Sequence, residues 1–328
     1  MITRMSFTRS SALAWLLAVN LGGAAAADFP SHPLRVIVPF APGGNADIMA
    51  RLIAQRLAEN LGQQVVVDNR AGASSIIGTE LTVKAPPDGY TFVLVASSIA
   101  TNPGLIKTLP YDTQRDLAPI TIVGSTPLIL AAYPGLPVTT VKELVALAKA
   151  KPGQLNYATS GNGSPANLAG ALLNYMTGID IVHVPYKGTA LAITDVLGGH
   201  MQIFYPSMTS VLPYVKSGRL RALGMTSLKR SPLAPEIPTV SESGINGYQA
   251  NIWNGVLAPA ATPAAIIARL NSEFVRVLSA FETRERFAAL GAEAAHSTPG
   301  EFRAFIAAEQ AKWAKVIRES GIRIELER

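Results

Sequence analysis

The chain has 328 residues, 48% apolar and 15% charged, which supports one large or two medium folded domains and argues against disorder. It has no cysteine, so disulfides, thiolate metal sites, a cysteine nucleophile and a cysteine-linked lipid anchor are all excluded. The formal charge of +6 is scattered, and the densest stretch, Thr283-Arg284-Glu285-Arg286, alternates sign, so no nucleic-acid partner is expected.

Residues 1–27 carry Arg4 and Arg9, an apolar run from Ala12 to Val19, and Ala25-Ala26-Ala27 before Asp28. That order predicts a secretory signal peptide, and the run is too short for a confident membrane span. Its removal leaves a charge of +4 and a protein free to diffuse after export, held by core burial alone.

Leu34 to Val38, Gln64 to Val67 and Tyr90 to Ala96 are short apolar, β-branched runs that suit buried parallel strands. Between the first two, Met49, Leu52, Ile53 and Leu57 mark one face of a helix. Alternating strand and helix predicts a parallel α/β lobe. A second series follows. Thr140 and Glu143 form a capping box for a helix through Ala150, and Gln154 to Thr159 reads as a strand. Ser164-Pro165 supplies an N-cap and a first-turn proline for a helix with Leu168, Leu172 and Met176 on one face and Gly178 at its end. Ile181 to Val184, Met201 to Tyr205 and Leu220 to Thr226 read as further strands. Thr262-Pro263 opens a helix with Leu270, Phe274, Val277 and Phe281 on one side. Thr298-Pro299 opens another, carrying Phe302, Phe305, Ile306 and Trp313 and ending at Gly321. Periodicity does not say whether this tail returns to the first lobe.

Two loops join a strand to a helix, where open α/β sheets bind ligands. In Pro39-Phe40-Ala41-Pro42-Gly43-Gly44-Asn45-Ala46-Asp47, paired glycines let amides approach an anion and the helix start adds positive potential. The alternative is a tight turn in which Asn45 caps the helix and Asp47 complements its dipole. In Thr159-Ser160-Gly161-Asn162-Gly163-Ser164, hydroxyls and amides suit a carboxylate; the alternative is a turn capped by Ser164. One such loop in each half of the chain could clamp a single anion. Ser97-Ser98, after the third strand, either lines a cleft or forms a plain loop.

Enzyme constellations are weak. His32, His183, His200 and His296 show no metal-ligand spacing, no Gly-x-Ser-x-Gly elbow surrounds a serine, and no residue is nominated as a base for Ser160. No catalytic residue, metal or cofactor is expected.

Val38-Pro39-Phe40-Ala41-Pro42-Gly43-Gly44 to Asp47 resembles the signature of the Bug family, the TctC-type periplasmic solute receptors. The resemblance continues through Ala85-Pro86-Pro87-Asp88-Gly89-Tyr90, Leu155 to Pro165, Val184-Pro185-Tyr186-Lys187-Gly188, Gly218 to Leu223, Ile237-Pro238-Thr239-Val240 and Ala258-Pro259, in family order. It implies a type II periplasmic binding protein, two α/β lobes joined by crossing strands. The divisions are a signal peptide at 1–27, the first part of lobe 1 at 28–125, lobe 2 at 126–250, and a return to lobe 1 with C-terminal helices at 251–328. It also implies a small carboxylate held between the lobes. Phe40, Ala41, Gly44, Asn45 and Asp47 are carried over from the first loop, and Thr159, Ser160, Gly161, Gly163 and Ser164 from the second, with Ser97 and Ser98 beside them. Many relatives have a Phe-Asp pair where this chain has Tyr205-Pro206. The missing acid leaves an ammonium group without a partner, so a mono- or dicarboxylate lacking one is expected, an aromatic one stacked near Tyr205 included. Closure of a monomeric receptor around the ligand, followed by docking on permease subunits of a tripartite tricarboxylate-type transporter in the membrane, completes the expectation. The alternatives are a partner that is a membrane sensor, and a secreted hydrolase using Ser160 or Ser164.

Overall fold

The computed structural model describes residues 29–323; the expected signal peptide lies outside them. Among the described residues eleven strands form two sheets.

The first sheet starts from β1 (Leu34–Val38), which pairs in parallel with β2 (Val65–Asn69) and β3 (Thr91–Ala96). Four of the five β1 residues are buried, as the run of branched side chains requires. Helix α1 (Asn45–Leu61) crosses between β1 and β2, burying Met49, Ile53 and Leu57 and ending at Gly62 in the left-handed conformation. α2 (Ile76–Val83) and α3 (Ser98–Leu105) complete this part. Ser97 and Ser98, open to a loop reading, instead start α3, with Ser97 as its N-cap residue.

β4 (Leu117–Thr126) lies in the first sheet, and only Pro127 and Leu128 separate it from β5 (Ile129–Ala132) in the second. The second sheet is ordered β7-β6-β8-β5-β9. β6 (Leu155–Thr159), β7 (Ile181–Pro185) and β8 (Ile203–Phe204) run parallel, while β9 (Arg221–Met225) pairs antiparallel with β5. The expected strand over Met201 to Tyr205 shortens to two residues. Around this sheet stand α4 (Val141–Ala150), α5 (Pro165–Thr177), α6 (Thr189–Leu197) and α7 (Met208–Lys216). The Thr140 capping box and the Ser164 cap both form. Leu168 and Leu172 are buried in α5, but Met176, one turn further on, is exposed.

The chain then re-enters the first sheet. β10 (Ile252–Pro259) inserts antiparallel between β3 and β4, and β11 (Glu293–Ala294) pairs with β4. α8 (Ala264–Ser279) buries Leu270, Phe274 and Val277. Phe281 does not extend that face: Ala280 adopts an extended conformation, the helix breaks, and Phe281 starts α9 (Phe281–Ala289) with its ring 73% exposed. α10 (Pro299–Ser320) is pinned to β10, where the buried Glu309 accepts the indole N–H groups of Trp253 (3.3 Å) and Trp313 (3.0 Å). A Cβ on Gly255 of β10 would collide with the Phe302 ring, so glycine sets how closely α10 approaches the sheet.

Two segments therefore cross between the lobes, and Thr226 ties them together. Its buried hydroxyl accepts the Leu128 amide at 2.8 Å and contacts Asn251 Oδ1 at 3.1 Å, while its carbonyl accepts the Ala250 amide at 3.1 Å.

Candidate functional site

The loop after β1 and the loop after β6 each deliver a helix start to the space between the lobes. In the first, Gly43 turns the chain at φ +80° and Gly44 is the N-cap residue of α1. Asn45 is thus the first helical residue, not the cap, and no side chain caps this helix. The Ile48 amide is the first to reach a helical acceptor, Gly44 O at 3.0 Å, so the amides of Asn45, Ala46 and Asp47 have none within the helix.

Asp47 is buried and faces its own loop. It accepts from the Gly43 amide (2.9 Å), Arg51 Nε (3.0 Å) and Asn69 Nδ2 (2.9 Å), and the same Asn69 amide reaches Phe40 O at 3.1 Å. Burial pushes the Asp47 carboxyl up, but hydrogen bonds from Arg51, Gly43 and Asn69, with the Arg51 charge, outweigh it and hold the group below its ordinary 3.8. Asp47 fixes the loop; Asn45 is the residue at the cavity wall.

The second loop has the same division of labour. Thr159 is fully buried; its Oγ1 accepts the Gly161 amide at 3.2 Å and lies 2.6 Å from His183 Nε2. Burial holds the His183 imidazole below its ordinary 6.5. Gly161 (φ +132°) and Gly163 (φ +69°) make the turn. Ser164 Oγ accepts the Asn167 amide at 3.2 Å, Asn167 Oδ1 accepts the Gly163 amide at 2.9 Å, and Asn167 Nδ2 donates to Tyr157 Oη at 3.1 Å. This chain of bonds anchors the loop in the core. The histidine serves Thr159, and among the described residues Ser160 makes no hydrogen bond to a histidine or a carboxylate.

Two cavities meet at Pro165. The larger, about 590 Å³, has Asn45 and Ile252 on the first-lobe side and Ser160, Ala166, Thr189 and Tyr205 on the other. The smaller, about 360 Å³, brings Phe40, Ala41, Ser97 and Ser98 opposite Gly163 and Ser164. Gly44, Asp47, Thr159 and Gly161 line neither; they shape the loops from behind. Four helices, α1, α5, α6 and α7, begin at the larger cavity, and α2, α3 and α5 begin at the smaller. Each start carries roughly half a positive charge. Among the described residues no Asp, Glu, Lys, Arg or His lines either cavity.

Sequence reasoning missed several wall residues. Thr126, Leu128 and Ile252 come from the crossings and Leu290 from the end of α9. Ser74 and Ser75 line the smaller cavity within a run of three left-handed residues, Ala73 (φ 45°), Ser74 (φ 53°) and Ser75 (φ 75°). Such conformations cost about 1–2 kcal/mol each in non-glycine residues. Asn102 Nδ2, donating to Ser74 O at 2.9 Å, and the Ser75–Ser98 hydroxyl contact at 2.8 Å hold the run in place. Nothing in Ala-Ser-Ser signals it. A further cavity of about 710 Å³ adjoins at Asn162, but its walls include Asp180, His183, Glu319 and Arg323 and neither helix-start loop opens fully into it. No group of three His, Asp or Glu among the described residues is placed to hold a metal ion.

A family model described as tripartite tricarboxylate transporter family receptor (TctC) matches residues 49–322. The chain belongs to this TctC family. Protein BugT of Bordetella pertussis is 40% identical over 326 residues, 98% of this chain and all of that protein. Among solved structures, R. palustris Rpa4515 with adipate is 36% identical with a TM-score of 0.75, covering 90% of this chain and 99% of that one. MatC from Rhodopseudomonas palustris with bound malate is 29% identical with a TM-score of 0.71, covering 88% and 100%. TctC proteins are solute-binding receptors, so this chain is a receptor of that class and not an enzyme. Its two α/β lobes with crossing strands are the fold of those relatives. No described helix is long and apolar enough to cross a membrane.

Proposed function

We propose that this receptor captures a small carboxylate lacking an ammonium group between its lobes in the periplasm and delivers it to the permease of a tripartite tricarboxylate-type transporter. The observation that carries this is the convergence of helix starts from both lobes on a cleft without a charged side chain. Amides and helix dipoles favour an anion there. An ammonium would be desolvated beside them with no acid to meet it, at a cost of several kcal/mol. Tyr205-Pro206 at the cavity wall supports the same choice. The adipate and malate complexes of relatives agree with a carboxylate.

In this reading residues 1–27 direct export and the monomer hinges where the chain crosses between the sheets. The first crossing is not between 125 and 126, because Thr126 still pairs with Ile252 in the first sheet, but at Pro127-Leu128; the second is between 250 and 251, next to the bonds of Thr226. Phe40, Ala41, Asn45, Ser97, Ser98, Ser160, Gly163, Ser164 and Tyr205 face the ligand, and closure is driven because both loops grip one anion only when the lobes come together. A thermal-shift panel of carboxylates, amino acids and neutral solutes tests it. A ligand at 100 times its dissociation constant adds about 2.7 kcal/mol of stability. Carboxylates without an ammonium group are expected to raise the melting temperature; stabilisation by aspartate or glutamate alone would overturn the reading.

A further inference from the structure

Thr126 is the last residue of β4 and pairs with Ile252 of β10, so it stands in the wall of the larger cavity where the two crossings meet the first sheet. It is 2% exposed, yet its hydroxyl makes a single bond among the described residues: Oγ1 accepts from Asn45 Nδ2 at a long 3.5 Å. A threonine hydroxyl also has a proton to donate, and here no described acceptor takes it. Buried polar groups are nearly always paired, so an idle donor in a cavity wall calls for a partner. The other hydroxyls at the cleft differ. Buried Thr101 donates to Ser98 O at 3.5 Å, and buried Ser75 contacts Ser98 Oγ at 2.8 Å. Ser207 and Ser210 are 2.9 Å apart and satisfy one another. Ser160, Thr189 and Thr209 are exposed, and water serves them.

Asn45 supplies the matching half. With Nδ2 turned to Thr126, its Oδ1 accepts no bond among the described residues and belongs to the same wall. The pair thus presents one donor and one acceptor side by side. A carboxylate oxygen only accepts and an ammonium only donates, whereas an alcohol hydroxyl does both. Asn45 is also the first residue of α1, whose amides at 45–47 lack helical acceptors and favour the carboxylate of the ligand. The alcohol that meets Thr126 therefore sits close to that carboxylate.

Resting on the receptor function above, we infer that Thr126, with Asn45, selects carboxylates that carry a hydroxyl on the second or third carbon. The selection works by exclusion. Closure around a ligand removes water from the Thr126 hydroxyl, and a ligand without an alcohol leaves that donor buried and unpaired. α1 and β4 belong to the same lobe, so the pair keeps its spacing as the lobes move.

The test is calorimetry on the purified protein with three sets of acids: butanoate against 2- and 3-hydroxybutanoate, succinate against malate, and phenylacetate against mandelate. In each set that binds, a hydroxy acid is expected to bind about tenfold more tightly than its parent. Thr126→Val keeps the shape and removes the hydroxyl; it is expected to melt like the native protein and to bring that ratio to about one or below, while Thr126→Ser retains it. Parent acids that bind as tightly as their hydroxy acids overturn the selection and leave the carboxylate receptor standing. A preference that survives in Thr126→Val overturns the role of Thr126. So does a lowered melting temperature in that variant without ligand, which would show the hydroxyl already bonded within the protein. Silence from every acid overturns both the selection and the receptor reading.

Discussion

Replacing Asp47 with alanine removes the group that holds the first cleft loop without touching the cavity wall. Three donors lose an acceptor: the Gly43 amide, Asn69 Nδ2 and Arg51 Nε. Hydrogen bonds to a buried charged group are worth about 1.5–3 kcal/mol each. The Arg51 side chain is 53% exposed, so its share falls to about 0–1 kcal/mol. Asn69 keeps Phe40 O as a partner, which reduces the loss there. The three are coupled and do not add, which leaves a net cost of about 2–4 kcal/mol. For a protein of this size that lowers the melting temperature by roughly 3–6 °C. Asp47→Asn keeps one acceptor oxygen and should lose about half as much. Melting curves followed by titration with a bound carboxylate read both effects, and affinity should fall with stability because the amides of residues 45–47 are no longer held in place. If Asp47 faced the ligand instead, removing its negative charge would tighten anion binding. An Asp47→Asn protein that melts like the native one and binds carboxylate more tightly would refute this role.

Further outcomes follow from other parts of the framework. In Gly170→Ala the new Cβ collides with the Tyr157 ring, whose hydroxyl anchors Asn167 behind the second loop; overpacking of this kind costs about 1–3 kcal/mol, and an unchanged melting temperature would contradict the packing. Thr226→Val keeps the shape but leaves the Leu128 amide without its side-chain acceptor in a fully buried site, a loss of about 1–3 kcal/mol in denaturant unfolding. His183 is held below 6.5 by burial, so the unfolded chain takes up a proton before the folded one does. Its contribution is fully present above pH 6.5 and is lost as pH falls through the lower folded value. Melting temperatures between pH 7 and 5 should therefore decline less in His183→Gln than in the native protein, and identical profiles would count against it.

Much of the scaffold can be read from local pattern. The branched runs of β1 and β3, the periodic face of α1, and the Thr140, Ser164 and Thr298 caps are decided by neighbours within one or two turns. β4 and β10 escaped because their signals are not local. Pro119 interrupts the first, and the Asn254-Gly255 pair breaks the second. Each becomes a strand by pairing with the other across more than a hundred residues of chain, and Gly255 is explained only by Phe302 of α10. Phe281 shows the opposite failure: its spacing continues the α8 face, but the backbone turns at Ala280. For the cleft, strand-to-helix loops with small polar residues are visible in sequence, whereas the sorting of Asn45 to the wall and Asp47 to the frame depends on which way α1 faces. Thr126, Ile252 and Leu290 resemble ordinary strand and helix residues until the crossings bring them together.

The central claim, that one anion is gripped between the two loops, is tested most directly by placing a fixed negative charge at Ser160. Ser160 is exposed and lines the larger cavity, so Ser160→Asp should fold with an unchanged melting temperature in the absence of ligand. Calorimetric titration with a carboxylate that binds the native protein is expected to give no heat, because the new carboxylate occupies the potential of the helix starts and repels the ligand. Binding at native affinity would place the anion elsewhere and contradict the account.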